Sequence, residues 1–365
     1  MSESIGKITV PGRKQAIQSY KARGGKLAAV FPIHYPRALL RSFDILPVEV
    51  WGPPGIDMGL GDAHLQAYTC SIVRAGLSFL LQGGLDPVDM IVVPHACDSL
   101  QGLGSILLDF VKPSMPVLPF VLPRDSGEPA RRFLAAEISH VRDELCSLTG
   151  KNPTPEEFDA AISGEEDADG ALAELLSRTA HLPVGDRELY RVVRSREYLP
   201  AEEFVKAARG LLALEIEEMR PGIPLVLSGI VPEPWEIFDA IATAGGRVAG
   251  DDLCGSGRRL YPRGRGDEPL TRLVDGLLSG PPDSTLGSAV DVRLAHLLDL
   301  VGRHEARGIV FYSMKFCEPE KFYLPQLQKG LEQEGVRSVV IESDLDRSMP
   351  DQALTRIEAF LESVT

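Results

Sequence analysis

Five cysteines carry most of the chemistry legible in this 365-residue sequence. Cys97 sits in VVPHACDSL, Cys254 in AGDDLCGSG, Cys317 in VFYSMKFCEP and Cys70 in AYTCSIVR. A thiolate can act as a nucleophile, hold a soft metal or take part in redox exchange. Each use needs different company. Zinc sites usually bring closely spaced cysteine pairs, and no C-x-x-C occurs here. Iron–sulfur clusters also favour close spacing but can draw thiolates from distant loops. A nucleophilic cysteine needs a base. His95, two residues before Cys97, could serve, but nothing supplies a third group to orient it. On the residues alone, both metals and a Cys–His pair stay open. The plain alternative is that each cysteine is a small buried apolar residue. Cys146, on an amphipathic pattern in mid-chain, is read that way.

The elements that must position these residues alternate at both ends of the chain. Lys26–Phe31, Pro47–Trp51, Met90–Val93 and Val117–Leu122 read as strands, and His64–Gln82 as a helix stopped by Gly83-Gly84. Ile223–Ser228, Arg247–Ala249, Gly308–Tyr312 and Ser338–Glu342 read as a second set of strands. Pro234–Ala244, Ser288–His304, Leu324–Glu334 and Asp351–Ser363 read as the helices of that set. Strand–helix–strand alternation predicts parallel sheets with crossover helices. From about Ser126 to Met219 the pattern is helical, with Thr154-Pro155 as a capped helix start. The acidic stretch Glu165–Gly170 is expected to be a solvated turn, and Pro262–Pro282 a long loop with a helical turn. The division is therefore an α/β lobe over 1–125, a helical bridge over 126–220 and a second α/β lobe over 221–365. Cys97, Cys254 and Cys317 each follow a predicted strand, and Cys70 falls in the first turns of a predicted helix. The carboxyl edge of an open α/β sheet is where ligands bind, so the four cysteines suit a cleft between the lobes.

Charge and motifs narrow the function classes. With 38 basic against 52 acidic residues the net charge is −14, which argues against a nucleic-acid groove. Apolar runs are far shorter than the ~20 residues a bilayer requires, and the first residues lack an apolar signal-peptide core. A cytoplasmic chain without membrane or nucleic-acid partners is expected, with thiols rather than a disulfide framework. There is no P-loop, H-E-x-x-H or G-x-S-x-G motif. Gly255-Ser256-Gly257 followed by Arg258-Arg259 could form a phosphate-binding turn or an ordinary surface loop.

Three long blocks carry a family resemblance: AYTCSIVRAGLSFLLQGGLDPVDMIVVPHACDSL, VLSGIVPEPWEIFDAIATAGGRVAGDDLCGSGRR and GIVFYSMKFCEPEKFYLPQLQKGLEQEGV. The opening KARGGKLAAVFPIHYPRALLRSFDILPVEVWG matches as well. The chain resembles the 2-hydroxyacyl-CoA dehydratase family, which includes the 2-hydroxyglutaryl-CoA dehydratase D-component and benzoyl-CoA reductases. Its length is nearer the smaller (beta) subunit. The resemblance implies two Rossmann-like or flavodoxin-like lobes with a helical middle segment and a 4Fe–4S cluster in the inter-lobe cleft. It implies Cys70, Cys97 and Cys317 as cluster ligands, with Cys254 a further family cysteine and candidate cofactor-binding residue. It implies a larger homologous subunit as partner, an acyl-CoA substrate placed mainly in that subunit, and a separate ATP-dependent iron–sulfur activator. The implied reaction is radical elimination of water from a 2-hydroxyacyl-CoA, through a ketyl radical, to a 2-enoyl-CoA. A subunit of an aromatic acyl-CoA reductase, a non-catalytic electron-transfer or scaffold homologue, and a structural zinc protein are the competing readings.

Overall fold

The computed structural model describes residues 3–5, 8–345 and 348–365. The chain opens with a short antiparallel hairpin, β1 (Glu3–Ile5) and β2 (Ile8–Val10). Eight further strands form two four-stranded, all-parallel sheets. The first holds β3 (Lys26–Val30), β4 (Ile45–Glu49), β5 (Met90–Pro94) and β6 (Val117–Phe120), in the spatial order β4-β3-β5-β6. The second holds β7 (Ile223–Gly229), β8 (Gly246–Leu253), β9 (Gly308–Met314) and β10 (Arg337–Ser343), in the order β10-β9-β7-β8. Read from its β4 edge, the first sheet runs 2-1-3-4 in its own strand order; read from its β8 edge, the second runs 2-1-3-4 as well. The two lobes therefore share the flavodoxin-like winding, and each has a switch point between its first and third strands.

The inner strands β3, β5, β7 and β9 are short, largely apolar and largely buried, as parallel strands are when helices cover each side. Leu27, Ala28, Ala29 and Val30 are all buried, as are Ile309, Val310, Phe311 and Tyr312. Between the lobes run the helices Glu128–Thr149, Pro155–Ser177, Asp186–Ser195 and Ala201–Leu212, with no strand among the described residues of that stretch. The first buries Ala130, Leu134, Ile138, Val141 and Leu145, a stripe at the helical three-to-four-residue spacing. The second starts at the expected cap. The Thr154 hydroxyl accepts from the Glu157 amide at 3.2 Å, and Glu157 accepts from the Thr154 amide at 2.8 Å. One apolar cluster runs from Leu27 and Leu46 through Leu172 and Phe204 to Leu225, Val248 and Val310. Bridge and lobes thus share a continuous core.

Two readings of the sequence are corrected here. Glu165–Gly170 is not a turn but the middle of the helix Pro155–Ser177. Its acids meet arginines, and Asp167, which remains exposed, pairs with Arg263. Glu165 accepts from Arg37 at 3.1 Å and Arg196 at 2.6 Å, Asp169 from Arg196 at 2.8 Å, and Glu166 from Arg272 at 2.8 Å. Arg37 follows the first strand of the first sheet and Arg272 follows the second strand of the second, so partners far off in sequence neutralise a run that alone looks solvated. Within Pro262–Pro282, the segment Pro269–Leu278 is a full helix. It packs on the helix Glu128–Thr149 through contacts no local pattern reveals.

Candidate metal centre

Cys70, Cys97 and Cys317 occupy the same local position on three different helices. Each is the N-cap: Cys70 of Ser71–Leu81, Cys97 of Asp98–Ile106 and Cys317 of Glu318–Gln333. Cys70 therefore precedes its helix rather than lying in its first turns, because residues 63–69 form turns instead of the predicted helical start. Cys97 and Cys317 follow the third strand of their lobes, β5 and β9, so they are counterparts across the two windings. A helix N-terminus presents unpaired amides and partial positive charge, which favour an anionic sulfur.

The three helix starts meet in one cavity of about 50 Å³, several times the ~10–15 Å³ that one water needs. Cys254, directly after β8, lines it too. All four cysteines that sequence reasoning placed in the cleft are thus brought together, while Cys146 lies on the helix Glu128–Thr149 away from the cavity. All five are free thiols. Ile33, Trp51, Ile72, Val73, Leu100, Ile230 and Met314 supply most of the remaining wall. The lobes close on each other here: Ser71 Oγ lies 3.1 Å from Met314 Sδ, and the Leu345 amide donates to Ser71 Oγ at 3.2 Å.

Burial dominates the electrostatics. It pushes the Cys97 thiol up to about 12, with the neighbouring Cys70 sulfur adding to the shift and the amides of Leu100 and Ser99 opposing it. Cys70 is raised by burial against the amides of Val73 and Ile72. Cys317 is raised well above the ordinary thiol range by burial, then by Glu320, Cys70 and Cys97. Cys97 and Cys317 also feel the charge of neighbouring thiols, so ionisation of one opposes ionisation of the next. Among the described residues, no three His, Cys, Asp or Glu side chains converge closely enough to share a single metal ion. The donor set instead consists of soft thiols spread round a dry cavity. Cys70, Cys97 and Cys317 would suit holding an iron–sulfur cluster through their thiolates.

Cys254 stands apart. Its thiol donates to Asp283 Oδ2 at 3.1 Å, and its sulfur accepts from Arg258 Nη1 at 3.3 Å. Asp283 also lies 3.0 Å from His34 Nε2, and His34 Nδ1 lies 2.6 Å from the Tyr261 hydroxyl. Burial alone would raise Asp283, but Arg258 and then His34 hold it far below the usual carboxylate range. This buried chain was not legible in sequence, because His34 lies 227 residues from Tyr261 and 249 from Asp283.

Arg258 and Arg259 do not form a phosphate site. Both are buried and engaged. Arg258 meets Asp252 at 3.1 Å and Glu320 at 2.7 Å, and Arg259 meets Glu49 at 2.6 Å. The Gly257 amide, which a phosphate would need, donates to Asp251 at 3.1 Å. His95 offers no Cys–His pair. Its Nε2 lies against Gly104, and it is not part of the cavity wall.

The family model described as "2-hydroxyglutaryl-CoA dehydratase, D-component" matches residues 32–364. The chain belongs to this family. Lactoyl-CoA dehydratase subunit beta of Anaerotignum propionicum is 26% identical over 359 residues, 96% of this chain and 95% of that subunit. The beta subunit of (R)-2-hydroxyglutaryl-CoA dehydratase from Acidaminococcus fermentans is 26% identical over 96% of each chain. A benzoyl-CoA reductase subunit of Thauera aromatica is 23% identical over 83% of this chain and 81% of its own length. The D-component match contains all four cavity cysteines and the whole of the second sheet.

Proposed function

We propose that this chain is the smaller, iron–sulfur-bearing subunit of a 2-hydroxyacyl-CoA dehydratase, a hydro-lyase that converts a 2-hydroxyacyl-CoA to a 2-enoyl-CoA. The observation that carries the reading is the convergence of Cys70, Cys97 and Cys317, each at a helix N-cap, on one apolar cavity between two like lobes. When bound, a 4Fe–4S cluster supplies one-electron chemistry that no side chain can provide. The chain's own part is to hold and shield it. Cys70, Cys97 and Cys317 are the thiolate ligands, and Trp51, Ile33 and Ile230 exclude water. The Asp283–Arg258 pair keeps Cys254 fixed against the fourth side. Three protein thiolates leave one iron free for a further ligand. The electron comes from a separate ATP-dependent activator, consistent with the lack of a P-loop in this sequence. The acyl-CoA is handled with a larger homologous subunit. No helix among the described residues is long and apolar enough to cross a membrane, and five free thiols suit the reducing cytoplasm.

The test is iron and acid-labile sulfide on protein purified without oxygen, alone and co-expressed with the larger subunit. About four of each per chain is expected for one 4Fe–4S cluster, followed by loss of water from a 2-hydroxyacyl-CoA on adding activator and ATP. A folded protein without iron in both preparations overturns the reading. The similarity to the benzoyl-CoA reductase subunit favours a second reading, an aromatic acyl-CoA reductase subunit. Formation of a dienoyl-CoA from benzoyl-CoA, with no dehydration, would select it.

A further inference from the structure

Behind Cys254, which lines the thiol cavity, the second lobe holds a charge cluster that the ligand set does not use. Arg258, with no exposed surface, is its centre. Its two terminal nitrogens grip Glu320 as a fork, at 2.7 Å and 3.0 Å. The same guanidinium reaches the Cys254 sulfur at 3.3 Å, Asp283 at 3.4 Å and Asp252 at 3.1 Å. Asp252 is in turn held by Arg293 at 2.6 Å and 2.8 Å. Two arginines thus face three carboxylates, and two histidines lie against them as well, His34 at 3.0 Å from Asp283 and His296 at 3.4 Å from Asp252.

Glu320 is the member with leverage. It lies three residues after Cys317, in the first turn of the same helix. The Arg258 fork spends its carboxylate on the interior instead of on solvent. Glu318, one residue after Cys317, is exposed. A fixed, largely buried carboxylate opposes the addition of an electron nearby, and hydrogen bonds to sulfur together with burial are the protein's means of setting a cluster's potential. We propose that Glu320, held in place by Arg258, is a positioning residue that lowers the reduction potential of the cluster bound by Cys70, Cys97 and Cys317. The inference rests on the iron–sulfur reading above and adds to it a determinant outside the ligands. A low-potential centre suits a subunit that must pass on an electron able to reduce a thioester.

The experiment is a redox titration, by visible absorption and electron paramagnetic resonance, on anaerobically purified full-length protein. It compares wild type with Glu320→Gln, Glu320→Asp and Glu318→Gln, with iron and sulfide measured on each. Glu320→Gln is expected to keep its iron and shift the midpoint potential to a more positive value. Glu320→Asp, which retains the charge, returns toward wild type. Glu318→Gln, the same change in charge on a solvent-facing neighbour, shifts it much less, because water screens the exposed group. Loaded Glu320→Gln with an unchanged midpoint overturns the proposal and leaves the iron–sulfur reading standing. Equal shifts in Glu318→Gln and Glu320→Gln overturn it too, since the effect would then be one of net charge. Wild-type protein without iron overturns both. If Glu320→Gln loses its iron, the comparison of Glu320→Asp with wild type decides: matching potentials support the proposal, and a large shift despite the retained charge overturns it.

Discussion

Glu165→Gln is the perturbation whose size follows most directly from the structure. Glu165 is buried in the middle of the helix Pro155–Ser177, where it joins the bridge to the first lobe through Arg37 and pairs with Arg196 within the bridge. Burial opposes its ionisation, yet Arg196 and Arg37 lower its carboxyl from 4.5 to about 2. At 1.36 kcal/mol per unit, that difference is worth about 3 kcal/mol of stability at neutral pH. The cost of breaking a buried ion pair, about 3–5 kcal/mol, agrees at its lower end. The lower end is appropriate because Arg37 keeps Glu49 and Arg196 keeps Asp169. The assay is urea unfolding of the full chain, followed by circular dichroism. With a slope of about 3 kcal/mol/M, the midpoint falls by about 1 M.

The pH dependence sharpens the test. The folded pKa is depressed, so the contribution is fully present above 4.5 and is lost as pH falls toward 2. Wild type and variant are therefore expected to differ at pH 7 and to converge through that window. A loss within the ~1 kcal/mol typical of an exposed pair, or stability curves that stay parallel from pH 5 to pH 3, would refute the reasoning.

Cys97→Ser is expected to lose most bound iron while keeping the wild-type circular dichroism spectrum, whereas Cys146→Ser keeps both; normal iron content in the first variant removes Cys97 from the ligand set. Trp51 lines the thiol cavity on one side and a larger cleft of about 450 Å³ on the other. Trp51→Ala is expected to cost about 3–5 kcal/mol and to speed alkylation of the cavity thiols in metal-free protein, read by mass spectrometry; an unchanged labelling rate would show that the indole is not the barrier. Glu197 lies in that cleft, its carboxyl raised to about 7 by burial against the pull of Arg194 and Arg13. The wild type should therefore lose stability as pH rises from 4.5 through 7, and Glu197→Gln should flatten that part of the unfolding curve; an unchanged slope would count against the assignment.

Much of the fold was open to reading because its signals are local. All eight strands of the two parallel sheets are legible from short apolar runs, since strands covered by helices on both faces are largely apolar. Their ends were less legible. Arg247–Ala249 extends to Leu253 because Asp251 and Asp252, polar residues that normally end a strand, are buried against Tyr190, Ser256 and two arginines. The candidate site divides in the same way. Cys97, Cys254 and Cys317 could be placed at strand ends, and hence at one edge of the lobes, from sequence position alone. Glu320, Asp283, His34 and Tyr261 could not. Each is an ordinary polar residue until its partner, from another loop, arrives beside it.

By itself, then, the sequence determined the class of fold, two runs of alternating strands and helices with a helical stretch between them, and the cysteines that lie at strand ends. These follow from periodicity and strand-end position, which act over a few residues. Only the tertiary structure decided that three cysteines begin helices around one apolar cavity while a fourth is tied to Asp283 and Arg258. It alone turned the acidic run Glu165–Gly170 from a supposed surface turn into a buried joint, and the arginines after Gly257 from supposed phosphate ligands into internal counter-ions. The physical reason is that charge is neutralised through space. Whether a carboxylate or guanidinium faces water or the interior depends on which opposite charge the fold brings within about 3 Å, and that partner can be hundreds of residues away.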